Sequence, residues 1–405
     1  MTQSSHLPHF RTWLASLEEE KLATILRNRS DVLNPLPPSI AALATRLLLR
    51  TSIARALMNC TARQLAEIED IARRGGELEE VEDLNPDITR QLKERGLAYG
   101  NVLIPPEVMP ALPTGWSLLD QVQVSPEDIA ELPDEERKVL LTLSRSNGLG
   151  TTRDAAIDAD PARPIPRLIA KQLLQRVDAT TVRLPRAVHL ALNGKPTAPI
   201  PVEGITESPA PDPKADDAGT AAGLSAVRGM QRVIDALGAR PIELLKDKTV
   251  GVRQLTNLSK TLTIDEGELR RLIELGMSAR LLSRGEPKNF EGNFLAPTEL
   301  SQDWLDAGLA EKWQLLLEAW TASPWTKEGR TLAHTNDRLP EFRQKVLQVY
   351  LRGAKPTFEE SLRFHFPLFA THTSDETIAE LRAEAEWIGA IALERPTSVP
   401  VSYTH

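Results

Sequence analysis

The stretch between Arg163 and Leu192, RPIPRLIAKQLLQRVDATTVRLPRAVHLAL, constrains the fold more than any other part of the chain. Pro164 and Pro166 stand where a helix can begin without losing a needed N–H, and apolar residues then recur at helical spacing up to Leu174. The residues on either side of Asp178-Ala179-Thr180-Thr181 favour a strand, a tight turn and a second strand. A helix that leads directly into a small hairpin predicts the second half of a winged helix-turn-helix module.

This stretch is also locally basic, although the formal net charge of the whole chain is −8. The side chains that are candidates for nucleic-acid binding are Arg163, Arg167, Lys171, Arg176, Arg183 and Arg186. Phosphate binding needs several cations on one side of a helix and in the wing, and the four-residue spacing from Arg163 to Lys171 meets this condition. The alternative is that these cations pair with acids of neighbouring segments, namely Glu127, Asp128, Glu131, Glu135 and Glu136. The sequence leaves both interpretations open.

Cycles of helix, helix and hairpin recur along the chain without a fixed period. They predict a mainly α fold with small β-wings, an array of winged helix-turn-helix modules after an N-terminal helical unit. The expected segments are a helical unit (1–58), a winged-helix-like module (59–112), the basic module (113–195), a third module with tryptophan-rich helices (225–325) and a fourth, incomplete module (326–405). Trp313 and Trp320, two helical turns apart, are expected to pack in a core.

Residues 196–224 have a different composition from the rest of the chain. Pro, Ala, Asp and Gly dominate there without apolar periodicity, which predicts a flexible linker that a protease cuts first near Lys214.

Composition excludes several classes of protein. Cys60 is the one cysteine, which rules out an intramolecular disulfide and a cysteine-rich zinc site, and it is expected to be a small buried side chain. No apolar run approaches the roughly 20 residues of a membrane span, and the N-terminus lacks a signal-peptide core. The sequence therefore predicts a cytoplasmic protein without a membrane partner.

Motifs for catalysis are missing from the sequence. A nucleotide-hydrolysing motor needs a GxxxxGK[ST] loop, but Gly148-Leu149-Gly150 has no following lysine and Gly194-Lys195 leads into Pro196. The seven histidines include no pair at the spacing of a helical zinc site. We therefore expect no enzyme activity, no metal and no cofactor.

Several phrases of the sequence resemble a bacterial family of helicase-associated proteins, which is named for a C-terminal domain related to the N-terminal region of XPB-type helicases. They are WLASLEEEKLATILRNR, LLQRVDATTVRLPRAVHLALNG, VRGMQRVIDALGARP, VGVRQL, FLAPT with WLDAGLAEKWQLLLEAW, and EAEWIGAI. The resemblance covers most of the chain outside the predicted linker. The chain ends before the place where the resemblance puts that C-terminal domain.

The resemblance implies a string of winged-helix modules with a DNA-binding or helicase-associated role. We therefore expect a non-catalytic factor that contacts the DNA phosphate backbone through the basic module, with a protein partner in a helicase or repair context. The alternative from a different class is a scaffold whose modules dock a protein partner rather than DNA.

Overall fold

The computed structural model describes residues 6–113, 116, 118, 123–146, 148–194, 200–203, 210–287, 290–325, 336–352 and 357–398. These residues form a mainly helical protein with small antiparallel sheets, as the sequence predicted. The chain divides into two compact units, one of residues 1–204 and 362–372 and the other of residues 205–361 and 373–405.

The described helices are mostly short, because prolines, glycines and capping residues interrupt the apolar periodicity. They are, in chain order, α1 (His6–Ala15), α2 (Glu19–Asn28), α3 (Ile40–Leu47), α4 (Arg50–Leu57), α5 (Ala62–Arg73), α6 (Pro86–Lys93), α7 (Val108–Ala111), α8 (Pro126–Ala130), α9 (Asp134–Arg145), α10 (Pro164–Ala170), α11 (Arg186–Leu192), α12 (Pro213–Ala239), α13 (Val252–Leu262), α14 (Glu266–Ser278), α15 (Leu300–Asp306), α16 (Leu309–Ala322), α17 (Leu339–Arg352), α18 (Phe358–His365), α19 (Pro367–His372) and α20 (Asp375–Trp387). Within the described ranges, no helix combines the length and the apolar character that crossing a membrane requires.

The described strands are two to four residues long. They are β1 (Leu149–Thr151), β2 (Gln175–Arg176), β3 (Thr181–Arg183), β4 (Ile242–Glu243), β5 (Leu282–Gly285), β6 (Phe294–Pro297), β7 (Ile391–Ala392) and β8 (Arg395–Pro396). They pair in the orders β1-β3-β2, β4-β6-β5 and β7-β8, and every pairing is antiparallel.

Side chains that accept backbone N–H groups mark the starts of several helices. Ser39 accepts from the N–H of Ala42 at 3.2 Å and begins α3, and Thr61 forms a reciprocal capping pair with Gln64 at the start of α5. Gly96 has φ +64 after α6, which is the left-handed conformation expected of a glycine past a helix end. Local chemistry therefore fixes these boundaries.

A buried arginine joins the first two expected segments, 1–58 and 59–112. Arg29 is 1% exposed and donates hydrogen bonds to the carbonyls of Leu47 and Arg95, both at 2.9 Å, and to Ser52 Oγ at 2.6 Å. Its guanidinium also lies 3.5 Å from Asp31. Burial lowers the pKa of Arg29, and Asp31 partly offsets this effect. The two segments therefore share a core around one guanidinium.

One arrangement of elements occurs once in each unit. In the first unit the order is α9, β1, a 3-10 turn (Arg153–Ala155), α10, β2 and β3, and in the second it is α12, β4, α13, α14, β5 and β6. In both, the first strand pairs with the third, which also pairs with the second. The sequence does not predict β1 (Leu149–Thr151). Only three residues pair there, and one of them is glycine.

The flexible linker predicted over residues 196–224 is wrong in its second half. Residues 195–199 and 204–209 lie outside the described residues, but Pro213 begins α12, a helix of 27 residues. Gly223 packs so closely on the indole of Trp313 that a Cβ there would lie 2.1 Å from the ring. The small residues that suggested a linker therefore allow close packing of α12. Lys214 lies in the first turn of this helix.

The tryptophans expected in a core are buried. Trp313 is 8% and Trp320 is 3% exposed. Their indole N–H groups donate to the carbonyl of Ile388 at 2.8 Å and to Glu384 Oε2 at 3.1 Å. Both rings thus pack in the second unit with their polar atoms satisfied.

We expect Gly223→Ala to destabilise the second unit by about 3 kcal/mol, because the added methyl group forces Trp313 out of its place. Chemical denaturation followed by circular dichroism measures the change. Gly238→Ala is the matched control in the same helix, since its Cβ would come no closer than 3.8 Å to Pro297. It should gain up to about 1 kcal/mol from helix propensity. Equal effects of the two substitutions would contradict the packing role of Gly223.

Candidate nucleic-acid interface

The basic helix α10 is shorter than the sequence predicted. It begins at Pro164 after Arg163 and ends at Ala170, because Gln172 takes a left-handed conformation with φ +60. The N–H groups of Leu173 and Leu174 both donate to the carbonyl of Leu168, at 2.9 and 3.2 Å, which closes the helix end. The chain can then enter β2.

The hairpin after α10 forms around one carboxylate. Asp178 Oδ1 accepts from the backbone N–H groups of Thr180 and Thr181 at 2.7 and 2.8 Å. These hydrogen bonds, led by that of the Thr180 backbone, lower the pKa of Asp178. The predicted turn between two strands is confirmed, with β2 and β3 in antiparallel register.

The apolar residues of this region face one core, as the sequence predicted. Leu168, Leu174 and Val182 are each at most 1% exposed and pack with Leu140 of α9. Helix α11, which the sequence did not predict, adds Val188 to this core. The hairpin and α10 are therefore fixed relative to α9 by burial of apolar surface.

Two of the six basic side chains bind one buried carboxylate. Arg167 Nε lies 2.8 Å from Glu136 Oε1, and Lys171 Nζ lies 2.7 Å from Glu136 Oε2. The Glu136 side chain is 1% exposed, while those of Arg167 and Lys171 are 38% and 45% exposed. The two cations lie on the same side of the helix, as the sequence predicted. Glu136, which contacts both, is one of the five acids that the sequence offered as alternative partners.

The other four basic side chains are also engaged within their unit. Arg163 pairs with Asp154, and Arg176 donates to the carbonyls of Ala155 and Ala156. Arg183 donates from Nε to Gln175 Oε1 at 3.0 Å and from Nη1 to the carbonyl of Trp116 at 3.3 Å. The six cations are therefore distributed over several local networks.

Arg186 is the most deeply embedded of the six. Its guanidinium lies 5.3 Å from the centre of the Trp116 ring and donates to Thr371 Oγ1 at 3.3 Å. Burial lowers its pKa, and the charge of Arg363 lowers it further. The position of Arg186 indicates a role in packing α11.

The formal charge of this module argues against electrostatic attraction of a nucleic acid. Residues 123–194 include ten Asp and Glu and ten Lys and Arg, so their formal charge is zero. A neutral module lacks the cationic excess that attracts a polyanion over a distance. Any phosphate contact depends on the few cations that remain partly exposed.

An apolar groove, which the sequence did not predict, lies beside the basic helix. Its volume is about 580 Å³, and its apolar lining is Val139, Leu143, Leu149, Ile165 and Val182. Leu149 is 53% exposed at the start of β1. The sequence signal was weak, because a three-residue strand between glycines has no alternating pattern to detect.

The groove runs along an open strand edge. The carbonyl of Gly148 accepts from the N–H of Leu184 at 2.7 Å, and the N–H of Thr152 donates to the carbonyl of Thr180 at 2.6 Å, both on the β3 side. Because strand residues alternate, the backbone groups of Leu149 and Thr151 point to the opposite side. Strand β1 is at the edge of its sheet among the described residues. An extended segment could therefore pair there.

Among the described residues, no group of three or more His, Cys, Asp or Glu side chains is placed to hold a metal ion. Comparison with protein-family models, with curated proteins and with solved structures gave no match to this chain. The resemblance to helicase-associated proteins therefore stays a prediction.

The sequence placed Arg167 and Lys171 outside the apolar stripe and so predicted that replacing both with glutamate leaves folding intact. Because buried Glu136 pairs with both cations, we instead expect the substitutions to destabilise the fold. Arg167→Glu/Lys171→Glu leaves three adjacent carboxylates and should cost about 3 kcal/mol of unfolding free energy. Urea denaturation measures the loss.

Two comparisons isolate the cause of that loss. Arg167→Met/Lys171→Met/Glu136→Leu removes all three charges and should recover most of the stability. Exposed Arg153, replaced by glutamate, should change stability by less than about 0.5 kcal/mol. If the glutamate double variant unfolds at the same urea concentration as the parent, Glu136 does not depend on its two partners.

Proposed function

We propose that this chain is a non-catalytic, cytoplasmic interaction protein in which the two repeated arrangements are winged helix-turn-helix modules and the first docks a protein partner. The order helix, strand, helix, helix, strand, strand, in which a 3-10 turn takes the place of the second helix in the first unit, and the two matching sheet orders support the winged-helix assignment. The observation that carries the function is the apolar groove beside the open edge of β1.

An extended partner segment fits this groove by strand addition. Its backbone pairs with the outward groups of Leu149 and Thr151, and every second side chain enters the apolar groove. Backbone hydrogen bonds supply affinity, and the groove selects apolar side chains. Glu135 and Lys138 line the groove with charges of both signs, which favours a partner segment that carries both as well.

DNA binding through the same module is the second candidate. Arg163, Arg167 and Lys171 are partly exposed and face two carboxylates, Asp154 and Glu136, so one positive charge remains in excess. This excess favours a weak, sequence-independent phosphate contact, which agrees with the helicase-associated role that the resemblance implies.

A photo-crosslinking side chain at Leu149, in cells that express the full chain, tests partner docking. We expect a discrete protein adduct, identified by mass spectrometry, that Thr151→Pro reduces at least fivefold because proline removes an outward N–H from the edge. The same crosslinker at Leu78, which is exposed in the segment 59–112, is the positional control. Identical adducts at both positions, or none at Leu149, would refute the docking proposal.

Fluorescence anisotropy with duplex, single-stranded and forked DNA over a salt series tests the second candidate. The docking proposal expects no saturable binding at physiological salt. If DNA is the ligand, Lys171→Gln should lower the salt dependence by about one unit and weaken binding equally across sequences. Arg167 continues to pair with Glu136 in this variant, so its fold should remain.

A further inference from the structure

A cluster of hydrogen-bond donors lies in the first unit, around Arg186 at the start of α11. The guanidinium of Arg186 lies 5.3 Å from the centre of the Trp116 ring and donates to Thr371 Oγ1 at 3.3 Å. Residues 362–372 belong to the first unit, so the three side chains are parts of the same body. None of them lines the apolar groove of the proposed function.

The half-buried side chain of Arg186 has no acidic partner among the described residues. Burial lowers its pKa, the charge of Arg363 on α18 lowers it further, and no carboxylate of the described chain acts in the opposite direction. Buried Arg29 of the same unit, by contrast, lies 3.5 Å from Asp31. Arg186 therefore carries a positive charge that no neighbouring acid neutralises.

The indole N–H of Trp116 is an unsatisfied donor at the same place. Trp116 is 3% exposed, and its buried Nε1 has no hydrogen-bond partner within the described chain. Burying a donor without an acceptor is unfavourable, which favours a ligand that supplies an acceptor. The Arg186 guanidinium covers this ring, and the one hydrogen bond that it donates to a described residue is 3.3 Å long. A small movement of Arg186 therefore opens the N–H to a ligand.

The two side chains that flank Arg186 are fixed by contacts of their own. The backbone carbonyl of Trp116 accepts from Arg183 Nη1 at 3.3 Å. The Thr371 hydroxyl donates to the carbonyl of Pro367 at 2.8 Å, so its oxygen is oriented to accept from Arg186. Groups that are already in place lose less conformational entropy when a ligand binds.

We propose that Arg186, together with the indole N–H of Trp116 and the charge of Arg363, binds a phosphate group. Two guanidinium charges favour a dianion over a single carboxylate. Phosphate oxygens point in different directions, so they can accept from a guanidinium fork and from an indole N–H at once.

The burial of the site favours a phosphate group with a free end. Arg186 is half-buried and Trp116 is buried beneath it, so the donors are reached from one side. An inorganic phosphate ion and the phosphorylated side chain of a protein both present such an end. The diester of a nucleic-acid backbone is flanked by sugars on two sides and fits less well.

The direct test is NMR spectroscopy of the full chain with ¹⁵N in its tryptophan side chains, of which there are seven. Trp116→Phe identifies the Trp116 indole signal by its loss. Titration with inorganic phosphate, at an ionic strength held constant with chloride, should move this signal downfield, because a new hydrogen bond deshields the proton. The shift should saturate in the millimolar range. The signal of Trp13 in the same unit, identified by Trp13→Phe, is the internal control and should not move.

Arg186→Gln is the critical variant. It should raise the phosphate concentration at half-saturation about tenfold or more, because hydrogen bonds from a charged donor are lost. Arg186→Lys keeps the charge without the fork and should lie between this variant and the parent, which also decides the question if Arg186→Gln fails to fold. Exposed Arg55→Gln removes the same charge elsewhere in the unit and is the matched control, with an unchanged titration.

A blocked peptide, Gly-phosphoserine-Gly, and a short DNA duplex identify the source of the phosphate group. Tighter binding of the peptide than of inorganic phosphate assigns the site to a phosphorylated protein partner, and the reverse order assigns it to the free ion. A duplex that moves the Trp116 signal at a lower concentration of phosphate groups than either would overturn the inference and make Arg186 a nucleic-acid contact.

Three further outcomes overturn the inference. They are no movement of the Trp116 signal at saturating phosphate, an equal movement with acetate at the same concentration, and an unchanged titration in both Arg186 variants. Leu149→Lys, which blocks the groove of the first unit, should leave the phosphate titration unchanged. Failure of the phosphate site is therefore distinguishable from failure of the groove.

Discussion

The pairing of buried Glu136 with Arg167 and Lys171 is the interaction on which the charge distribution of the first unit depends. A carboxylate without access to water is unfavourable unless cations or donors compensate it. Arg167 of α10 and Lys171, the C-cap of that helix, supply two cations. The ion pairs connect α9 to α10 next to the apolar core. The same charges cannot act as a free cationic surface while they hold this carboxylate. Much of the positive charge between Arg163 and Leu192 therefore stabilises the fold.

The sequence predicted much of the fold where local chemistry decides it. Capping residues such as Ser39 and Thr61 and the glycine at 96 mark helix ends without reference to the rest of the chain. The first half of α12 was missed for a tertiary reason. Gly223 packs on Trp313 and Gly219 on Thr397, both far along the chain, and no local pattern distinguishes a helix with a small-residue face from a linker.

The sequence predicted only the part of the candidate site that local helix geometry decides. The spacing of Arg167 and Lys171 places them on one side of a helix, because a helical turn is local geometry. Their partner Glu136 is 31 residues before Arg167, and sequence alone gave five acids as equivalent choices. In the second unit, Glu274 of α14 and Glu384 of α20 line one cleft although more than 100 residues separate them, so only the fold brings them together.

The tryptophans are distributed unevenly between the two units, and this has an optical consequence. Five of the seven, from Trp304 to Trp387, belong to residues 205–361 and 373–405, while Trp13 and Trp116 belong to the first unit. Intrinsic emission of the protein therefore reports mainly on the second unit. Trp313 and Trp320 are buried, which shields them from water and from soluble quenchers, whereas Trp387 is only half-buried, with the guanidinium of Arg271 4.9 Å from the centre of its ring. Quenching can therefore separate the emission of the buried rings from that of Trp387.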